Sequence, residues 1–261
     1  MIGAIIGDIA GSRFEFGPAP EPDFKLFTDD KDCGYTDDTI LTVAIADAIL
    51  NGRSYKESLL DWGRRYPSSY GGRFSDWLSS DDPEPYGSYG NGSAMRVSPV
   101  GWLFNDYHEV LREARASAEP THNSIEGIDG AECVATLIYW LRTCRINKDE
   151  IEYTVKKTWN YDIPSLEDIN RIGALGHFDA TCQETVPWAI RCFLESNSFE
   201  DAVRIAVMAD GDTDTKADIA GAIAEAYYDI PKNIISQACS YLPDDMLDII
   251  EQFYKTIEKR I

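Results

Sequence analysis

The chain has 261 residues, of which 44% are hydrophobic and 26% are charged, as is ordinary for a globular protein with a sizeable core. Its 45 acidic and 24 basic residues give a formal charge of −21, which argues against a nucleic-acid backbone or an anionic membrane surface as partner. The six cysteines form no CxxC pair, so a thiolate zinc site is not expected. No stretch approaches the roughly 18 apolar residues of a membrane span, and the sequence predicts a cytoplasmic protein.

Helical periodicity runs through most of the chain. The first predicted helix covers residues 2–12, and its small residues indicate tight packing against another element or a ligand. A proline-rich, acidic loop over 17–32 separates it from helices over 38–50 and 55–65. The long Gly-, Ser- and Tyr-rich segment 67–93 is typical of a functional or mobile loop. Further helices are predicted over 106–118, 130–141, 148–158, 183–195, 199–209, 216–228, 231–240 and 244–259.

The same pattern points to one fold class. The sequence shows no sustained period-two run of β-branched residues, which would indicate a half-buried strand. It also lacks a repeat of 30–45 residues and any low-complexity tract. The sequence therefore predicts one all-α domain over residues 1–261, in which long loops carry the functional residues.

Two oxygen-rich stretches precede predicted helices. Residues 36–39 and residues 211–215 each contain two aspartates and two threonines. Helix capping is one explanation, because Asp and Thr are favoured N-caps, but a single cap uses a single side chain. Asp212 and Asp214 do not share a helix face, so both reach one centre only from a turn before the helix. Neighbouring carboxylates repel each other unless a cation neutralises them, so the two stretches together predict a site for two hard metal ions.

Four weaker signals each have a plain structural alternative. The glycines of residues 90–93 can turn backbone N–H groups toward a phosphate, although an ordinary loop is the commoner explanation. His122 is not spaced from another histidine or cysteine as zinc ligands are, and a lone histidine is more often a structural hydrogen-bonding residue. Arg96 can bind an anion or pair with one of the many acids. Glu15 lies between two phenylalanines and can serve in acid–base chemistry, or it can be a surface residue at a helix end.

Taken in order, these motifs resemble those of the ADP-ribosylglycohydrolase family, which includes the dinitrogenase reductase-activating glycohydrolases. The resemblance spans residues 2–228, and the order of the motifs along the chain makes it specific. Three places depart from the family's pattern: Asp210 stands where glycine is frequent, Lys216 where an apolar residue is usual, and Asn123-Ser124 where many members carry His-Pro. The segments that carry the resemblance are residues 3–8 with Gly11 and Glu15, 35–39, 90–96, 121–122 with 126–127 and 130–131, and 211–215 with 220–224 and 226–228.

The resemblance implies an all-α orthogonal helical bundle with a binuclear Mg²⁺ (or Mn²⁺) centre. It also implies a loop that holds a diphosphate and a glutamate on a flap near the metals. The site residues implied are Thr36, Asp37, Asp38, Asp212, Asp214 and Thr215 as metal ligands, Gly90, Asn91, Gly92, Ser93, Met95 and His122 for the substrate, and Glu15, Asp38 and Asp214 for catalysis.

The reaction that the resemblance implies is hydrolysis of the bond at C1″ of the distal ribose of ADP-ribose. An ADP-ribosylated protein is the expected partner, with arginine-linked ADP-ribose favoured and serine-linked ADP-ribose second. The alternatives are a hydrolase of a free ADP-ribose derivative or of a nucleotide, and a catalytically weak protein that binds ADP-ribose or acts as a toxin-immunity protein.

Overall fold

Helices make up the regular structure of residues 1–259, the part of the chain that the computed structural model describes. Within that part, the pairing of extended segments is limited to an isolated bridge between Gly90 and Thr181. The prediction of an all-α fold is confirmed. The α-helices are α1 (Ile2–Gly11), α2 (Asp37–Asn51), α3 (Tyr55–Arg65), α4 (Gly72–Ser79), α5 (Gly92–Met95), α6 (Ser98–Leu103), α7 (Tyr107–Ala118), α8 (Ile125–Arg142), α9 (Ile151–Trp159), α10 (Leu166–Gly173), α11 (Cys182–Glu195), α12 (Phe199–Met208), α13 (Thr213–Glu225), α14 (Lys232–Cys239) and α15 (Asp244–Glu258).

Helices α1, α2 and α13 lie at the centre of the molecule. Every residue of α1 is buried, and α13 is buried from Thr213 to Ala224. A helix that is covered on all sides belongs to the interior of a bundle rather than to its surface. The hydrophobic cluster around these helices extends from Met1 to Ile257. Within the described residues no helix combines the length and the apolar character needed to cross a lipid bilayer.

Glycines allow α1 to lie directly against α13. Gly3, Gly7 and Gly11 recur at i, i+4, i+8 and therefore share one face of α1. A Cβ added to Gly7 would lie 2.0 Å from the Ala217 carbonyl oxygen, and one added to Gly11 would lie 2.6 Å from the Cα of Asp214. The tight packing predicted for this helix is confirmed. It brings the end of α1 to the aspartates that begin α13.

The sequence predicted one continuous loop over 67–93. That prediction was wrong, because α4 interrupts the segment. This helix buries Phe74, Trp77 and Leu78, which follow the i, i+3, i+4 spacing of a helix packed on one face. The pair Gly71-Gly72 at its start concealed it, since adjacent glycines are typical of loops.

Capping side chains account for two other differences from the predicted helices. α10 was not predicted, yet the Oγ of Ser165 accepts the N–H of Asp168 at 3.1 Å and fixes its first turn. α8 begins at Ile125 rather than at residue 130, because the Oγ of Ser124 accepts the N–H of Gly127 at 3.0 Å. Such caps stabilise a helix start by about 1 kcal/mol each.

Candidate active site

Most of the predicted site residues gather around one cavity of about 470 Å³. Its wall is formed by the segment after α1, the start of α2, the residues around α5 and the start of α13. The structure therefore brings together stretches that lie far apart in the sequence. The predicted residues that line the cavity are Glu15, Asp37, Asp38, Gly90, Asn91, Gly92, Met95, His122, Asp212, Asp214 and Thr215.

Carboxylates converge at this cavity in two adjoining groups. In the first group, Asp8, Asp38 and Asp214 each contribute one carboxylate oxygen, and these three atoms lie within 4.8 Å of one another. The second group has the same arrangement, with one oxygen each from Glu15, Asp212 and Asp214. Asp214 belongs to both groups. The Oδ1 of Asp38 is buried and has no hydrogen-bond partner in the described part of the chain, which is costly for a carboxylate oxygen without a counter-charge. This set of hard oxygen donors fits divalent cations such as Mg²⁺ or Mn²⁺.

Burial and mutual repulsion raise the pKa values of these acids. The pKa of Asp38 and that of Asp214 lie well above 3.8, mainly because burial disfavours the charged form, and neighbouring aspartates add to the effect. Burial raises the pKa of Glu15 to about 7, helped by the charges of Asp212 and Asp37. The pKa of Asp37 is likewise raised to about 7, by burial and by repulsion from other aspartates. A bound cation would stabilise the anionic forms of all four groups.

Thr36 both caps α2 and connects two of the acids. Its Oγ1 accepts the N–H of Asp38 at 3.3 Å, as an N-cap hydroxyl does, and donates to the Oδ1 of Asp8 at 2.8 Å. The capping explanation therefore holds for this threonine. Thr36 does not line the cavity itself, although Asp37 and Asp38 in the first turn of α2 do.

The start of α13 differs from the prediction. The helix begins at Thr213 rather than at residue 216, so Asp212 is the N-cap and Asp214 lies in the first turn. The two carboxylates still converge, because the Asp212 backbone, with φ −71° and ψ 76°, is not helical. The Asp212 side chain makes no capping hydrogen bond, and its Oδ2 accepts from the Nδ2 of Asn91 at 2.7 Å. Capping therefore does not explain this carboxylate.

Asp8 is a residue of the site that the sequence did not assign. It lies fully buried on α1, where its Oδ2 accepts the N–H groups of Thr36 and Thr39 at 2.9 and 3.1 Å. The same oxygen accepts the Thr39 hydroxyl at 2.5 Å, while Oδ1 accepts that of Thr36. Because both oxygens are occupied by these donors, Asp8 holds the start of α2 in place. The available signal was an acid inside an otherwise apolar helix of small residues.

The segment 90–93 uses two of its side chains for internal contacts. The Nδ2 of Asn91 bridges Asp212 and the Oγ1 of Thr185, the latter at 3.0 Å. Ser93 does not line the cavity, because its buried hydroxyl donates to the Gly127 carbonyl oxygen at 2.6 Å. Gly90, Asn91 and Gly92 line the cavity, so the backbone of this segment lies close to any ligand bound there.

Another part of the cavity wall is cationic. Arg96 is fully buried, and its Nη2 donates to the Ser117 carbonyl oxygen at 3.0 Å and to the Thr121 Oγ1 at 2.8 Å. Its Nε and Nη1 have no hydrogen-bond partner, and within residues 1–259 it forms no salt bridge. Arg73 of α4, which the sequence did not single out, also lines the cavity. The sequence left open whether Arg96 pairs with an acid or binds an anion, and this environment favours the anion.

His122 is a neutral hydrogen-bonding group beside these arginines. Burial, together with the charges of Arg96 and Arg73, holds the pKa of His122 well below 6.5. Its Nδ1 lies 2.7 Å from the Oγ1 of Thr121, which already accepts from Arg96. The hydroxyl proton is thus available to Nδ1, which favours a proton on Nε2. That nitrogen lies close to Gly92, where an added Cβ would be 3.3 Å away.

Gly211 gives a direct test of the loop that presents Asp212. Its φ is +71°, and an added Cβ would lie 2.7 Å from the His177 carbonyl oxygen, so Gly211→Ala adds a clash to backbone strain. Gly52 is a matched control, because its φ is +63° and nothing lies within 4 Å of an added Cβ. We expect Gly52→Ala to lower the free energy of unfolding by about 1–2 kcal/mol without changing Mg²⁺ affinity.

Gly211→Ala is expected to destabilise the protein more than Gly52→Ala and also to weaken Mg²⁺ binding. Denaturant unfolding in EDTA and calorimetric titration with Mg²⁺ measure the two effects separately. Equal Mg²⁺ affinities for the two variants would contradict a role of this loop in presenting Asp212.

Comparison with known proteins places this site in a family. An all-α fold with buried carboxylates around a cavity is consistent with a metal-dependent hydrolase. Residues 1–260 match the ADP-ribosylglycohydrolase family. The chain is 25% identical to ADP-ribosylhydrolase ARH3 of Mus musculus, and the match covers 87% of this chain and 82% of that protein. It is 23% identical to ADP-ribosylarginine hydrolase Tri1 of Pseudomonas putida, covering 88% of this chain and 70% of that protein.

The fold has a counterpart among solved structures. A structure described as an ADP-ribosylglycohydrolase-related protein complex shares 22% sequence identity and gives a TM-score of 0.69 over 98% of this chain and 97% of its own. The chain belongs to the ADP-ribosylglycohydrolase family. The resemblance seen in the sequence is thereby confirmed, as is the general activity of a hydrolase acting on ADP-ribosylated substrates. The family depends on divalent metal, in agreement with the two acidic groups.

Proposed function

We propose that this protein is a metal-dependent hydrolase that removes ADP-ribose from arginine side chains of proteins by cleaving the bond at C1″ of the distal ribose. The observation that carries the proposal is a single cavity that combines two carboxylate groups sharing Asp214 with a cationic wall containing Arg73 and Arg96. A substrate with a diphosphate and a ribose that is oriented by metal ions requires both features. Arginine linkage is favoured because the relative Tri1 is named as an ADP-ribosylarginine hydrolase.

Two Mg²⁺ (or Mn²⁺) ions are the proposed cofactors. The unpartnered Oδ1 of Asp38 and the shared position of Asp214 support two adjoining ions rather than one. Such ions supply Lewis-acid polarisation and lower the pKa of a bound water. The proposed ligands are Thr36, Asp37, Asp38, Asp212, Asp214 and Thr215.

The cationic wall is the proposed site of the diphosphate. The free Nε and Nη1 of Arg96 and the backbone around Gly92 offer donors to phosphate oxygens, and charge-assisted hydrogen bonds of this kind are the stronger ones. The Nε2 of His122 adds a neutral donor close to Gly92. Asn91 contributes indirectly, because its amide orients the Asp212 carboxylate.

Glu15 is the proposed general base. With a pKa of about 7, its carboxyl group can accept and return a proton near neutral pH, which is the condition for efficient proton transfer. Cleavage at C1″ passes through an oxocarbenium-like state, whose positive charge the anionic forms of Asp38 and Asp214 stabilise. The sequence left the base open between Glu15 and an aspartate. Asp37 has a similar pKa of about 7, but it is a proposed metal ligand, which leaves Glu15 for proton transfer.

An assay with and without chelator tests the proposal. A protein carrying ADP-ribosyl-arginine is incubated with the enzyme, and free ADP-ribose is quantified in Mg²⁺, in EDTA, and in EDTA followed by excess Mg²⁺. We expect release in the first and third conditions and none in the second. Release that survives chelation would overturn the metal-dependent mechanism.

The same assay separates hydrolysis from binding alone. A catalytically weak binding or immunity protein would retain the ADP-ribosylated target on the enzyme without releasing ADP-ribose. The carboxylates that converge at Asp214 argue against that role, since a protein that only binds has no need for costly buried charges. Serine-linked ADP-ribose is the second candidate substrate and is tested in parallel on a peptide of matched sequence.

A further inference from the structure

A second cavity of about 400 Å³ adjoins the one described above. Glu15, Phe16 and Phe178 line both cavities, so the proposed general base faces each of them. The second cavity is otherwise lined by the loop around His177 and by the turn at Asp210 and Gly211. It therefore borders the turn at Asp210 and Gly211 that precedes Asp212. The proposed mechanism assigns no role to this second cavity.

Two exposed aromatic rings mark the boundary between the cavities. Phe16 is 82% exposed and Phe178 is 47% exposed, and their rings stack with centroids 6.0 Å apart at an angle of 19°. Neither ring belongs to the buried hydrophobic cluster. Exposed aromatic faces beside a catalytic carboxylate offer a surface to a planar group, and guanidinium is the planar cation of protein side chains.

The charges around the second cavity are those that a cation requires. Glu15 and Asp210 supply carboxylates, and among residues 1–259 no lysine or arginine lines it. One oxygen of Asp210, Oδ1, accepts the N–H of Gly211 at 2.8 Å, so the other oxygen remains available. His177 is held by Glu184, with its Nε2 2.9 and 3.0 Å from the two carboxylate oxygens. Lys216 lies behind the turn, 2% exposed, where its Nζ contacts the Asp210 carbonyl oxygen and the Trp188 ring.

We propose that this second cavity is the leaving-group subsite and that Asp210, with the Phe16–Phe178 pair, selects a guanidinium side chain over a hydroxyl side chain. The inference rests on the proposed function. If ADP-ribose places its diphosphate at the arginines and its distal ribose at the carboxylates, C1″ faces Glu15, and the bonded side chain extends into the cavity beyond. A guanidinium there pairs with Asp210 and stacks on the phenyl rings. A serine or other hydroxyl side chain gains neither contact.

Hydrolysis of two matched peptides, one with ADP-ribosyl-arginine and one with ADP-ribosyl-serine, tests the selection. Asp210→Asn keeps an acceptor for the Gly211 N–H and suits a residue with φ +61°, because asparagine tolerates that backbone conformation. We expect kcat/KM to fall about tenfold for the arginine peptide and less than about twofold for the serine peptide. Phe178→Ala is expected to raise KM for the arginine peptide alone. Asp229→Asn removes an exposed charge that lines neither cavity and serves as the control.

Equal losses on both peptides, or no loss on the arginine peptide, would overturn the subsite. A binding measurement distinguishes this failure from a failure of the proposed function. Arginine amide is titrated into the metal-loaded, ADP-ribose-saturated enzyme, and saturable binding is expected for the native chain but not for Asp210→Asn. If neither peptide is hydrolysed, the proposed function fails, while this titration still supports or rejects a guanidinium site.

Discussion

Asp214→Asn is expected to lower kcat/KM for ADP-ribose release by about 10³-fold, which corresponds to about 4 kcal/mol of transition-state stabilisation. Asp214 is the carboxylate common to both acidic groups, so its loss removes charge from each proposed metal position. Asparagine has nearly the same shape and keeps an oxygen that can accept the Thr215 N–H, now 2.9 Å from Oδ1. Steady-state kinetics in saturating Mg²⁺ measures the loss.

The same substitution is expected to stabilise the metal-free protein. Burial raises the pKa of Asp214 well above 3.8 in the folded state, so its favourable contribution is fully present below pH 3.8 and is lost as the pH rises through the raised value. Asparagine carries no such penalty. In EDTA the variant should therefore melt at a higher temperature than the native chain at pH 8, and the two should converge near pH 4.

Added Mg²⁺ should reverse that order at pH 8. A ligand that binds only the folded state stabilises it, and the native chain gains this stabilisation while the variant largely loses it. Thermal unfolding with and without Mg²⁺ at both pH values gives the four melting temperatures needed for each of the two proteins. A variant that keeps native activity, or that is less stable than the native chain in EDTA at pH 8, would contradict the assignment of Asp214 to the metal centre.

The parts of the site that the sequence predicted are those encoded by local composition. Residues 36–39 and 211–215 each place two carboxylates and two hydroxyls at a helix start. So many oxygen ligands in so short a stretch indicate a cation-binding site. The fold class was likewise accessible, because helical periodicity is repeated in every long segment. The prediction that the two stretches meet rested on their shared composition, and the family resemblance supported it.

The residues that escaped prediction depend on tertiary packing. Asp8 reaches the site because glycines let α1 approach α13, and no single segment of sequence shows that contact. Arg73 was missed for a different reason, since α4 starts at a pair of glycines that indicate a loop. Asn91 and Ser93 were predicted to bind substrate, but their side chains contact protein groups, a distinction that composition alone cannot make.

Side-chain caps explain why helix ends were less predictable than helix existence. Asp212 resembles a capping residue in sequence, yet its carboxylate accepts a hydrogen bond from the Asn91 side-chain amide instead of capping α13. Thr36, a proposed metal ligand, also caps α2 and donates its hydroxyl proton to Asp8. The same residue types serve both purposes, so only the three-dimensional arrangement of donors and acceptors separates them.

Asp8→Asn is expected to reduce kcat/KM by about 100-fold and to weaken Mg²⁺ binding by about 10- to 100-fold, the usual range for residues that orient metal ligands. Asp8 receives four hydrogen bonds on two oxygens from Thr36 and Thr39. Asparagine offers one oxygen, and its NH₂ group would face a donor. The start of α2 would then shift, and with it the Asp37 and Asp38 carboxylates.

Asp47→Asn is the matched control for this prediction. Asp47 is also a buried aspartate, lies on α2, and accepts from Trp62 Nε1 at 2.9 Å and Asn51 Nδ2 at 2.7 Å, but it does not line the cavity. Both variants leave buried donors without a full acceptor, which should lower the stability of Asp47→Asn. In Asp8→Asn, loss of a buried carboxylate whose pKa is raised by burial should offset part of that effect. Only Asp8→Asn should also lose Mg²⁺ affinity in calorimetric titration. If the two variants bound Mg²⁺ equally well, Asp8 would serve the fold alone and the metal centre would not depend on it.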